Sequence, residues 1–298
     1  MKKTKSRKSS KNKSRRSNKY KKLNCAPNPD SKQPFTCYTD NTLLKMKSLW
    51  NIRHPRDKIK GHEPKEIWDE LKIKMGNSCD RESCWLRKNF MNGNLDKELL
   101  NYTFAPKMPS VWKNNPDEWL SSLEIESVMK QYEKYYKCFV FLGPSPIDFD
   151  SHKFFGECVW EELCKFNLAN EIKMGKNKIG IILNTDPHNE EGEHWISLFI
   201  NIKKRFIIYF DSNGDPAPKE VNTLIDRIKN QGRNLNIDFE VYKNTLEHQK
   251  TESECGMYCL YFIIGMLHDK QPEYFLKNRI KDEEVFKLRQ KYFNYNEV

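Results

Sequence analysis

Residues 194–211 read HWISLFINIKKRFIIYFD, and residues 249–268 read QKTESECGMYCLYFIIGMLH. In the first stretch, two apolar runs flank the polar Lys203-Lys204-Arg205, which predicts strands over 194–202 and 206–210 joined as a hairpin. The first residue of one strand and the residue after the other then lie at the same end, so His194 and Asp211 are neighbours. The second stretch passes from a polar loop into 255–268, apolar nearly all round, which predicts a buried helix beginning at Cys255.

Working outward, Ile179–Leu183 and Phe239–Tyr242 read as further strands, and 219–230 as a helix with Val221, Leu224, Ile225 and Ile228 on one face. Upstream, a helix is expected from Pro116 to Tyr136, with Trp119, Leu120, Leu123, Ile125, Val128, Met129 and Tyr132 as its apolar stripe. Pro116 would occupy its first turn. The apolar run 138–142 closes on the turn signal Gly143-Pro144-Ser145-Pro146. A charged amphipathic helix is expected at 272–294. The fold class is therefore α+β, with a central, mostly antiparallel sheet over 106–298. Residues 24–105 read as a mostly helical accessory domain, with Leu43, Leu44, Met46, Leu49 and Trp50, and then Ile67, Leu71 and Met75, at helical spacing.

Residues 1–22 hold twelve Lys or Arg and no acid. Removing those twelve from the 52 basic residues leaves 40 against 41 acidic ones, so the net charge of +11 belongs to this tail. With almost nothing apolar to bury, 1–23 are expected to be disordered, and 1–22 to be the contact for a nucleic acid if there is one. A solubilising tail, a nuclear address or packaging with an acidic partner are the other readings. No stretch approaches the ~20 apolar residues of a membrane span. No apolar run follows the N-terminal charges, so a secretory signal is not expected. Nine cysteines are an odd number, which favours free thiols in a soluble protein made in a reducing compartment over a disulfide framework. Cys25, Cys37, Cys79 and Cys84, with His54 and His62, have spacings that fit no common zinc finger, so no metal and no other cofactor is expected.

A thiol nucleophile needs an imidazole beside it, a group to orient that imidazole, and donors for an oxyanion. Cys255 sits where a polar loop meets the buried helix, and helix N-terminal N–H groups favour its thiolate. Gly256 allows close approach. Cys259, one turn further on, reads as core. His194 starts a strand, at the rim of the sheet where a cleft forms. Asp211 is its orienting partner, or else only the start of a turn, with Asn213 as the second choice. Gln249 is placed to donate to the oxyanion with the Cys255 backbone N–H. His188 and His248 read as surface residues.

These residues resemble a known family. GEHWISLFI, RFIIYFDSNG and HQKTESECGMYCLYF are similar to the ubiquitin-like-protein-specific proteases and the adenovirus proteinase, which are papain-like in fold. The family's His-Trp, its Asp or Asn after the next strand, and its Gln-x5-Cys-Gly are matched by His194, Asp211, Gln249 and Cys255. The likeness reaches back to Trp119-Leu120 and spans roughly 117–268. LGPSPIDF at 142–149 and the Cys/Trp-rich region 25–90 resemble the virion-maturation proteases of nucleocytoplasmic large DNA viruses. The resemblance implies an endopeptidase that cleaves capsid or core precursors after Gly-Gly-X motifs, in the virion or the virus factory of the host cytoplasm. It implies that Trp119 and Trp195 clamp a narrow tunnel, although Trp195, alternating with Ile196, also suits the core. A deconjugase for ubiquitin-like proteins shares the chemistry. A nucleic-acid-bound structural protein with an inactive protease fold is the reading of another class, against which every chemical group is intact.

Overall fold

In the computed structural model, which describes residues 20–31, 33–91, 97–153 and 155–295, a five-stranded sheet forms the frame. Its strands are β1 (Phe139–Pro146), β2 (Lys178–Asn184), β3 (Trp195–Asn201), β4 (Phe206–Phe210) and β5 (Glu240–Lys243), side by side in chain order. The expected hairpin is present: β3 pairs antiparallel with β4, Ser197 opposite Phe210 and Asn201 opposite Phe206. The sheet is mixed rather than mostly antiparallel. β2–β3 and β3–β4 are antiparallel, whereas the outer pairs β1–β2 and β4–β5 are parallel. Parallel neighbours need long crossovers, and the chain provides them in 147–177 and in 211–239, the latter containing a helix, Lys219–Asn234.

Six longer helices complete the fold: α1 (Asp40–Arg53), α2 (Pro64–Met75), α3 (Ser122–Tyr135), α4 (Lys219–Asn234), α5 (Cys255–Leu267) and α6 (Asp282–Tyr292). Side chains alternate across a strand, and β3 is apolar on both faces because each meets a helix. Ile196, Leu198 and Ile200 join one core with Val221, Leu224, Ile225 and Ile228 of α4. Trp195 and Phe199 join the other, with α3 and nearly all of α5. This explains why 255–268 is apolar all round, since α5 is covered by β3, α3 and α6. Each of its fully buried Leu, Ile or Phe side chains contributes about 1.5–3 kcal/mol.

A third core gathers the N-terminal helical region around Trp50, Trp68, Trp85 and Leu71. Glu82 is buried among them. Its carboxylate accepts from Thr36 Oγ1 and Trp68 Nε1, while burial, opposed by those bonds, raises its pKa. Asn294 ties this region to the chain's end. Its Nδ2 donates to Asn24 O at 3.0 Å and Ala105 O at 2.9 Å, and its Oδ1 accepts from Asn24 N at 2.7 Å.

Several expectations require correction. The tail as read from sequence ran to residue 23; most of it lies outside the described residues, but its last four do not belong to a disordered segment. Leu23 is buried, the Tyr20 ring lies 5.8 Å from Trp68, and Lys21 N donates to Asp80 O. Two large apolar side chains outweighed the basic composition around them. The helix expected from Pro116 begins at Ser122, because Ser121 and Glu124 form a capping box there, and Leu123 of the expected stripe is exposed. The helix expected over 272–294 is broken: Pro272–Lys277 ends in extended backbone at Asn278 before α6 starts. Six of the nine cysteines are not free thiols. Cys25–Cys37, Cys79–Cys84 and Cys158–Cys164 are paired, with Cα separations of 5.1, 5.6 and 6.2 Å, inside the range a disulfide spans. Local loops bring these pairs together, a geometry that cysteine counting does not see.

Candidate active site

The site lies at one end of the hairpin and the N-terminus of α5. Antiparallel pairing of β3 and β4 puts the residue before β3 beside the residue after β4. The Nε2–H of His194 donates to Asp211 Oδ1 at 2.7 Å. Asp211 is almost wholly enclosed, and its carboxylate is fixed by further donors: Asn213 N to Oδ1 at 2.8 Å and Tyr209 Oη to Oδ2 at 3.5 Å. Asn213 thus serves Asp211 through its backbone, and its side chain is exposed. Cys255 lies beside the His194 ring, near enough to act on its charge. Burial opposes charge on His194, but the bonds to Asp211 and Cys255 and their negative charges outweigh it and push its pKa up to about 10.

Cys255 opens α5 and is 1% exposed, at the floor of the site. Gly256 gives the helix room here: a Cβ on it would stand 3.0 Å from Leu120 Cβ and 3.4 Å from Trp195 Cδ1. One turn along, the Cys259 thiol is enclosed and donates to Trp195 O at 3.3 Å, and burial holds its pKa well above the usual thiol range. Two thiols four residues apart therefore meet opposite environments. Cys255 faces an imidazole whose pKa is raised, whereas among the described residues no cation acts on Cys259.

Gln249 is buried next to this centre. Its Oε1 accepts from Ser212 Oγ at 2.7 Å and its Nε2 donates to Thr251 O at 2.5 Å, so one amide hydrogen remains for another acceptor. Ser212 also anchors the loop by accepting at its carbonyl from His248 N and Gln249 N. His248 is not a surface residue. It is fully buried, its Nδ1 accepting from Ile280 N at 3.1 Å and its Nε2 donating to Phe275 O at 2.9 Å, and burial lowers its pKa. His188 is 44% exposed and pairs with Asp148 at 2.7 Å.

Trp119 and Trp195 line the same groove, of about 620 Å³, together with Leu120, Ser145, Trp160 and Gly192. Trp119 is 39% exposed, whereas Trp195 is 8% exposed, with its indole Nε1 donating to Leu120 O at 2.9 Å. Trp195 is thus both core and wall. Sequence reasoning did not single out Ser212, Asn244 (whose Nδ2 donates to Asp211 O) or the Leu120 carbonyl. Each acts through a backbone or amide contact that leaves no pattern in the sequence. Among the described residues, His152, Cys158 and Cys164 bring donor atoms within 4.8 Å of one another, but the two sulfurs are joined, so the trio offers thiolate ligands to a metal only after reduction. Cys79 and Cys84 pair with each other, not with His54 or His62. No helix among the described residues is long and apolar enough to cross a membrane.

A His–Asp pair at the end of a hairpin, beside a cysteine at the N-terminus of a buried helix, is the arrangement of a cysteine protease, and this chain is one. Residues 175–298 match the Ulp1 protease family, C-terminal catalytic domain. It is 27% identical over 292 residues to a protein of Acanthamoeba polyphaga mimivirus named as a thiol protease, covering 90% of this chain and 92% of that one. It is 27% identical over 241 residues to a cysteine protease of African swine fever virus, covering 76% of this chain and 86% of that one. The counterpart in another isolate of that virus, equally similar, is named a SUMO-1 cysteine protease. A crystal structure of an African swine fever virus protease has the same fold, with a TM-score of 0.62 at 21% identity over 91% of this chain and 95% of that one.

Proposed function

We propose that this cysteine protease is a viral endopeptidase that matures capsid or core precursor proteins, cleaving after Gly-Gly-X motifs, with Cys255 as nucleophile, His194 as base and Asp211 as the orienting carboxylate. The observation that carries the catalytic part is the 2.7 Å bond from His194 Nε2 to Asp211 Oδ1 in a ring whose pKa Cys255 also helps to raise. That bond fixes the tautomer and turns the remaining nitrogen to the thiol. The thiolate attacks the scissile carbonyl, and the imidazolium then protonates the leaving amine. The tetrahedral oxyanion is held by the Cys255 backbone N–H at the start of α5 and by the second amide hydrogen of Gln249. Trp119 and Trp195 wall the approach, and a narrow passage between indoles admits glycine and little larger.

The precursor substrate is supported by the viral cysteine proteases that the chain resembles over 90% and 76% of its length, and such a substrate suits an enzyme of the virion or the virus factory of the host cytoplasm. The ten Lys and Arg of residues 1–19 suit a nucleic acid partner. The second reading, a deconjugase for ubiquitin-like proteins, is favoured by the name of the isolate relative. The test compares cleavage of Gly-Gly-X peptides and capsid precursors with cleavage of a conjugated ubiquitin-like protein. Efficient turnover of the precursor is expected; preference for the conjugate would replace this reading with the second. An inactive enzyme on both would leave the third, a nucleic-acid-bound structural role.

A further inference from the structure

Arg289 lies on α6, 34 positions beyond Cys255, in a segment that reads in sequence as a charged amphipathic helix. It is instead fully buried. Its guanidinium forks onto the Glu254 carboxylate: Nε donates to Oε1 and Oε2 at 3.1 Å each, and Nη2 donates to Oε1 at 2.8 Å. Nη1 donates to Glu118 O at 2.7 Å, and Nη2 lies 3.5 Å from Ser253 O. The Trp112 ring stacks on the guanidinium with its centroid 4.5 Å from Cζ. One side chain thus joins two segments that are distant in sequence, 118–120 and 253–255, and both flank the nucleophile.

What those segments do gives the contact its meaning. Glu254 is the residue before Cys255 and the N-cap of α5, yet its side chain makes no cap hydrogen bond to that helix. A free carboxylate at an N-cap ordinarily folds back onto the first N–H groups; here the fork draws it away. Those N–H groups stay available at the position where an oxyanion develops. On the other segment, Glu118 precedes Trp119 on the groove wall, and Leu120 O receives the Trp195 indole.

We propose that Arg289 is a positioning residue of the protease. It holds the 253–255 backbone and the Trp119 wall in one register and keeps the Glu254 carboxylate off the α5 N-terminus. The proposal rests on Cys255 being the nucleophile, and it adds α6 to the elements on which catalysis depends.

Removing one partner of a buried ion pair leaves an unpaired charge, whereas removing both is often tolerated. The deciding experiment therefore uses Arg289→Lys, which keeps the charge but cannot span three acceptors, and the double variant Arg289→Met/Glu254→Gln, which leaves no unpaired charge. Each is checked for cooperative melting, then assayed for kcat and KM on a peptide, with iodoacetamide labelling at Cys255 read by peptide mapping. The expected result is a folded double variant whose kcat falls by about 10²-fold, the scale of a lost oxyanion donor. KM and the labelling rate are expected to change by less than about threefold, since thiolate alkylation needs no oxyanion site. A folded double variant with the wild-type kcat would overturn the proposal, and so would labelling that falls in step with kcat, which would move the effect to the thiolate. An active Cys255→Ser enzyme would overturn both this proposal and the nucleophile reading. A dead Cys255→Ser beside a fully active double variant would remove only this one.

Discussion

His194 and Asp211 are 17 residues apart in the chain, yet their side chains meet at 2.7 Å because β3 begins and β4 ends at the same end of the hairpin. Asp211 is closed off from water, and among the described residues its one cationic partner is the ring it orients. Replacing it by Asn keeps an acceptor for Nε2–H but removes the charge that holds the imidazolium. Asp211→Asn is expected to retain a measurable rate, lowered by at least about tenfold, and Asp211→Ala a much smaller one. Asn213→Ala is expected to be nearly silent, since Asn213 contributes its backbone N–H. Steady-state kinetics on a peptide decide this, and an inactive Asn213→Ala beside an active Asp211→Ala would transfer the orienting role.

The two thiols of α5 are expected to separate completely under mutation. Cys255→Ser should abolish peptide cleavage and remove the site labelled by iodoacetamide. Cys259→Ala should keep most of the turnover and lose about 1 kcal/mol or more of stability, because it empties part of a filled core. The measurement is activity together with denaturant unfolding. A Cys259→Ala enzyme that is folded and as dead as Cys255→Ser would put the nucleophile in the wrong place.

The pH dependence follows from the His194 shift. The thiolate–imidazolium pair needs a protonated ring, and that ring titrates at about 10, so the alkaline limb of kcat/KM is expected near there. Because the folded pKa stands above the unfolded value of about 6.5, the folded state binds the extra proton. The stabilisation is therefore complete below about 6.5 and is lost as pH rises through about 10. In Asp211→Asn the leading hydrogen bond that raises the pKa is weakened, so both the alkaline limb and this stability window should move to lower pH. An alkaline limb unmoved in Asp211→Asn would show that another group sets it.

Gly256 is held to glycine by its neighbours rather than by its backbone angles. Adding a methyl would press on Leu120 Cβ at 3.0 Å and crowd Trp195. Gly256→Ala is expected to cost about 1–3 kcal/mol as an overpacked site and to lower kcat further by shifting the start of α5. Unfolding and turnover measured side by side test it; wild-type values of both would mean that the 120–125 segment yields freely.

Truncation should distinguish the two parts of the basic segment. Deleting 1–19 removes ten Lys or Arg and should leave the melting temperature unchanged, while deleting 1–23 should lower it, since it strips Leu23 and Tyr20 from the helical core. Affinity for DNA should fall sharply with the first deletion, and in the full chain it should weaken steeply with salt, with a log–log slope set by the phosphates contacted. DNA binding unchanged by removal of 1–19 would exclude the segment as the contact, and lost basal peptidase activity would make it part of the working enzyme.

The amino-acid sequence alone determined the hairpin, the buried α5 and the candidate roles of His194, Asp211, Gln249 and Cys255. Those features are written in local periodicity: alternating and continuous apolar runs, a polar connection, and a cysteine where polarity changes. The end-to-end geometry of a hairpin then brings His194 to Asp211 without any knowledge of the rest. Tertiary structure alone decided the parallel outer strands, which depend on how crossovers route around the sheet, and the burial of His248, which depends on the carbonyl of Phe275 and the amide of Ile280 arriving from a later segment. It decided the three cysteine pairs, because bond formation needs Cα atoms within about 7 Å and not a particular count. It also decided Arg289, whose place in a charged helix says surface, but whose fork closes on a carboxylate, two carbonyls and an indole. The difference is one of range: a residue's own element is legible from its neighbours in sequence, while the partners of a buried polar group come from wherever the fold delivers them.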